Sequence, residues 1–143
     1  MSKLSETLDT LIFEKGLTYD NFAKEVDIAA CCISAYMHEN HMPSVENLVK
    51  IADYFNCSTD FLLGFEEENK NLTFKPCPPF SERLKFLKQY YNCKSNYFYT
   101  NTGITKSRFF EWQNGTRMPL VDNVVKIAKL FDCRIDFVLG RES

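Results

Sequence analysis

Apolar residues recur along this chain at helical spacing. Leu4, Leu8, Leu11 and Ile12 form one stripe, which stops at Gly16. Thr18 is suited to N-cap a second helix carrying Phe22, Ala23 and Val26. A third helix is predicted over roughly 29–37. Ser44 caps a fourth, with Val45, Leu48, Ile51, Ala52 and Phe55 on one face. A short fifth, 59–63, ends at Gly64, a left-handed C-cap. A second set follows at 81–91, 95–102, 105–114, 120–131 and 135–139. No stretch alternates as a half-buried strand would, so the predicted class is all-α.

The two sets are copies of each other. Residues 4–64 fall on 80–140 at a displacement of 76 without a gap, and 20 of the 61 pairs are identical, far beyond chance. The densest match sets "MPSVENLVKIADYFNCSTDFLLG" against "MPLVDNVVKIAKLFDCRIDFVLG". Two copies are too few for a solenoid. The expected organisation is a tandem pair of domains, 1–65 and 80–143. Between them lies "EEENKNLTFKPCPP", residues 66–79, a linker whose prolines favour an extended, semi-rigid path.

Composition narrows the class further. The apolar content of 45% can fill cores, yet no apolar run approaches the ~18 residues of a membrane span. The opening "MSKLSETLDT" lacks the apolar stretch of a signal peptide, so a cytoplasmic chain with no membrane partner is expected. The six cysteines are irregularly spaced, which speaks against a disulfide framework in a reducing compartment. The net charge of −2 conceals a division. Residues 1–70 hold five Lys, no Arg and thirteen acids, a net of −8. Residues 71–143 hold twelve Lys/Arg and six acids, a net of +6.

The second and third helices of each copy carry helix-turn-helix spacing. In the second copy the apolar positions are Phe98, Ile104, Phe109 and Trp112, with Gly103 at the turn. In the first they are Phe22, Val26, Ile28, Ile33 and Tyr36, with Asp27 at the turn. With "KIADYFNCSTDFLLG" at 50–64 and "WQNG…P" at 112–119, both copies resemble the Cro/CI-type (XRE-like) phage-repressor family. The resemblance implies two five-helix, lambda-repressor-like domains and a DNA-binding transcriptional regulator. Tyr99 stands where that family keeps a small residue, and Thr102 where it keeps a large apolar one.

A helix that enters the major groove needs donors and acceptors on its first turns and cations for phosphates. In the second copy Thr105, Lys106, Ser107, Arg108, Glu111 and Gln113 lie on or near the free side. The resemblance implies base reading for Lys106, Ser107 and Glu111, and phosphate contact for Ser95, Asn114 and Arg117, with Lys94 beside them. The first copy offers Ala29, Ala30, Cys31, Cys32, Ser34 and Ala35 on that surface, and no Lys or Arg stands between Lys24 and Lys50. Asp20, Glu25, Asp27 and Glu39 add repulsion, so this face is expected to contact protein instead.

Other chemistry is poorly supported. Cys31, Cys32, His38 and His41 match no zinc-finger spacing, so neither metal nor cofactor is expected. No catalytic constellation or Gly-rich phosphate loop stands out, which speaks against an enzyme. Cys57, Cys93 and Cys133 read as core positions. Double-stranded DNA is the expected partner, and a homodimer is an open expectation, since one small reading helix rarely gives enough specificity. Two rival readings stand beside this one: both copies bind half-sites, or the chain is an adaptor or antirepressor without DNA binding.

Overall fold

The computed structural model describes residues 3–67 and 73–142. Among them are ten α-helices and no strand, divided between two compact units, Met1–Thr73 and Phe74–Ser143. The first unit contains α1 (Lys3–Glu14), α2 (Tyr19–Val26), α3 (Ala30–Met37), α4 (Val45–Phe55) and α5 (Thr59–Leu62). The second contains α6 (Phe80–Tyr90), α7 (Ser95–Thr102), α8 (Lys106–Gln113), α9 (Val121–Leu130) and α10 (Ile135–Leu139). The predicted helices are all present, with ends shifted by no more than a residue or two.

The core of the first unit is built from Leu4, Leu8, Ile12, Phe22, Ile33, Leu48, Ile51 and Leu62, all nearly or fully buried. Leu11 and Phe55, expected on the same faces, are only half-buried; Phe55 stacks on the Phe22 ring at 5.3 Å. In the second unit Leu84, Leu87, Phe98, Phe109, Trp112, Ile127 and Val138 fill the core. Cys57 is buried as expected, while Cys93 and Cys133 are half-buried, so two of those three positions lie at the margin of the core.

Capping differs between the units. Thr18, Ser44 and Ser58 accept from the backbone N–H of Asn21, Asn47 and Phe61, satisfying a free donor at the start of α2, α4 and α5. Their counterparts Lys94 and Leu120 supply no such bond to α7 and α9. The helix that gains a cap is α8, where Thr105 Oγ1 accepts from Arg108 N at 3.3 Å; its counterpart α3 starts at Ala29, which has no side chain to offer.

The backbone itself repeats. Left-handed residues occur at 16 and 92, 27 and 103, 39 and 115, 56 and 132, and 64 and 140, each pair 76 apart. Identity at these positions is free to vary between Gly, Asn, Asp and even Glu39, while the conformation does not. Asp27 makes its turn at φ 57°, as its tolerance for that region predicts.

Tyr99 is accommodated at the edge of the α7–α8 packing, with its ring 5.9 Å from Phe109 and 6.3 Å from Phe110. Thr102 is satisfied locally: Oγ1 donates to Phe98 O at 2.7 Å and accepts from Ile104 N at 3.3 Å. Both departures from the family pattern therefore fit without disturbing the turn.

The expected linker has structure at its far end. Residues 74–79 form a strap on the second unit: Lys75 N–H donates to Arg141 O at 2.8 Å, and the Phe74 ring lies 4.2 Å from the Arg141 guanidinium. Arg141 is fully buried and pairs with buried Asp136 at 2.9 Å. Gly140 makes room for the strap: at φ 86°, a Cβ there would meet Pro78 Cδ at 2.7 Å and Arg83 Cδ at 2.8 Å. The expected extended path over 68–72 lies outside the described residues.

Candidate nucleic-acid interface

In the second unit the roll of α8 is set by its buried side. Phe109 and Trp112 are fully buried, with Phe109 5.2 Å from Phe98 and Trp112 6.1 Å from Phe80, ring centre to ring centre. Gly103, left-handed at φ 78°, ends α7, and buried Ile104 anchors the turn. With that side fixed, Thr105, Lys106 and Ser107 are exposed on the first turn, and Arg108 is half-exposed. Thr105 has a structural role as well, since its hydroxyl is the helix cap.

Glu111 and Arg117 are brought together. Arg117 Nε lies 3.4 Å from Glu111 Oε2, and the N–H groups of Thr116 and Arg117 donate to Glu111 O at 2.9 and 3.3 Å. The Arg117 side chain is 55% exposed, and a pair this open is worth about 0–1 kcal/mol. A stronger anion can therefore draw the guanidinium away. Asn114 is exposed at the C-cap of α8.

A polar cluster that sequence reasoning missed joins α6, α7 and α8. Lys88 Nζ donates to Gln113 Oε1 at 2.8 Å and to Ser95 Oγ at 3.3 Å, and Ser95 Oγ donates to Gln113 Oε1 at 2.9 Å. The displaced residues in the first copy are Ile12, Tyr19 and Met37. Reading the repeat for coordinated polar replacements would have found it. Gln113 is thus held inward instead of being free, while Lys85, Lys88 and Lys94 all line a cleft of about 510 Å³ at the start of α7. A helix start with free N–H groups among three lysines favours an anion.

The first unit presents the same geometry with different chemistry. Ile33 and Tyr36 are buried, and Asn47 Nδ2 donates to the Tyr36 hydroxyl at 3.0 Å. Ala29, Ala30, Cys31 and Ser34 are exposed, while Cys32 and Ala35 are half-buried. Burial, then the adjacent Cys31, pushes the Cys32 thiol up, which disfavours a reactive thiolate. Lys50, the next cation along, donates to Asp27 O at 3.3 Å and closes the turn instead of serving this face.

Residues 11–62, from within α1 to the end of α5, match the family model described as Helix-turn-helix. This segment is similar to XRE-type helix-turn-helix domains. Helix-turn-helix domains of this kind belong to DNA-binding regulators of transcription, a regulatory and generally non-enzymatic class. No curated protein and no solved structure matches the chain. The helix-turn-helix match falls on the acidic copy, while the cationic face lies in the other. No helix among the described residues is long and apolar enough to cross a membrane.

Proposed function

We propose that the chain regulates transcription by reading duplex DNA with α8 of the second unit, while α3 of the first unit serves protein contact. One observation carries the reading. The first turn of α8 is capped by Thr105 and exposes Lys106 and Ser107, beside the lysine-lined start of α7, whereas the equivalent first turn on α3 exposes only Ala29, Ala30 and Cys31. Lys106 and Ser107 supply donors for base edges, with Lys suited to guanine; Lys94, Asn114, Arg117 and the backbone N–H of Ser95 supply phosphate contacts. Arg108 and Glu111 flank them, and Glu111 can accept from cytosine.

Site selection from random duplex DNA, followed by gel shifts with residues 1–67 and 74–143 separately, tests this. Binding by 74–143 and none by 1–67 is the expected result. The helix-turn-helix match on 11–62 favours a second reading, in which both units bind half-sites. Equal binding by both fragments would establish that reading and overturn the first.

A further inference from the structure

A cleft of about 720 Å³ opens in the second unit between α6, α10 and the strap, a size usual for small-molecule sites. Phe86 and Tyr90 stand 38% and 61% exposed along it. The Phe137 ring backs them, 5.9 Å from Phe86 and 5.1 Å from Tyr90. Aromatic surface left this open on one side invites a flat partner.

The charge of the cleft selects the kind of partner. Lys75, Arg83 and Arg134 line it against one acid, Glu142, for a formal +2. Arg83 lies 4.3 Å from the Phe86 ring and 5.7 Å from Phe137, and its Nε donates to Val138 O at 3.2 Å. A guanidinium fixed among the rings already fills the place where an aromatic cage would take a cation. A second copy of the chain is disfavoured too, because a two-fold interface would set this positive patch against itself. An anion carrying an aromatic ring meets both demands.

The first unit shows that the fold does not need this feature. Thr7, Thr10, Glu14 and Ser58 stand at the positions of Arg83, Phe86, Tyr90 and Arg134. Phe61 keeps the ring of Phe137, but the same helices pack there without the two exposed rings or the two arginines.

We infer that the cleft binds an aromatic carboxylate, its ring against Tyr90 and Phe86 and its carboxylate toward Arg83 and Lys75. The test uses the full chain with 4-hydroxyphenylacetate as probe, followed by calorimetry and ligand-observed NMR. Saturable binding of one molecule per chain is expected. The neutral alcohol of the same skeleton should bind at least about tenfold more weakly, the worth of one charged contact. Tyr90→Ala should weaken binding about three- to tenfold through the lost ring contact, and Lys75→Glu should weaken it through charge alone. Both variants should keep the Trp112 emission of the folded chain. Four results would overturn the inference: no saturable binding, binding unchanged in both variants, equal binding of the alcohol, or a dimer in light scattering that Tyr90→Ala dissolves. The last would assign the cleft to a second copy.

Discussion

The Ser95 hydroxyl donates to Gln113 Oε1 at 2.9 Å, so the first residue of α7 is fastened to the last of α8. Lys88 shares the same acceptor at 2.8 Å. The angle between the two helices of the motif therefore depends on one side-chain carbonyl as well as on the core beneath it.

Replacing that carbonyl separates stability from recognition. Gln113→Ala should destabilise the second unit by about 1–3 kcal/mol, since two partly buried donors lose their acceptor. Trp112 is the one tryptophan of the chain and is fully buried, so its emission in a urea titration follows this unit alone. Gln113→Glu keeps the acceptor and should keep the midpoint. It should still weaken DNA binding, because it adds a negative charge beside the α7 start. A midpoint unchanged in Gln113→Ala would remove the cluster from the packing account.

Lys106 and Arg117 should respond differently to truncation. Lys106→Ala should relax the preference at one base pair, with a loss of about 1–3 kcal/mol on the selected site and little on random duplex. Arg117→Ala should weaken every sequence alike and lower the salt slope by about one charge. Titrations of both variants on selected and random DNA at several salt concentrations distinguish reader from anchor; identical profiles would dissolve the distinction.

Two glycines with the same backbone provide an internal control. Gly103 and Gly140 both have positive φ, 78° and 86°, but nothing lies within 4 Å of a Cβ at Gly103. Gly103→Ala should cost about 1–2 kcal/mol, the penalty of left-handed backbone alone. Gly140→Ala should cost about 1–3 kcal/mol more, because Pro78 and Arg83 must both move. Thermal unfolding followed by Trp112 emission gives the difference, and equal losses would mean that the strap yields freely.

On the first unit, Ala30 and Ser34 are exposed on α3, and the helix itself carries no Lys or Arg. The double substitution Ala30→Glu with Ser34→Glu should leave the helical circular dichroism intact, since neither side chain is in the core. Light scattering should then show a lower mass if this face joins two chains. An unchanged mass together with unchanged DNA affinity would mark the face as inert.

Much of the fold was legible because the duplication doubles every signal. The stripe Leu4, Leu8, Ile12 and the caps Thr18 and Ser44 follow from spacing and local chemistry, and both are observed. Leu11 and Phe55 lie half-buried at the margins of those faces; periodicity identifies a face and not its edge. The exposed positions Lys106 and Ser107 could be read once Phe109 and Trp112 were assigned inward. The Lys88–Ser95–Gln113 cluster could not, because its members lie on three helices and none forms a local motif. The strap was hidden for a related reason: "FKPCPP" reads as linker by composition, and only the pairing of Phe74 with Arg141, far apart in sequence, gives it a place.

That pairing also determines where the chain passes through the second unit. With Lys75 N–H bonded to Arg141 O, the polypeptide enters and leaves at a single point. A module whose two ends meet can be copied or lengthened there without threading new chain through its core. Splicing in another copy after Glu142 would leave the contacts of the helices before it in place. Such a handle is a simple route by which one small domain becomes an array, each member then free to keep, lose or exchange the face it shows.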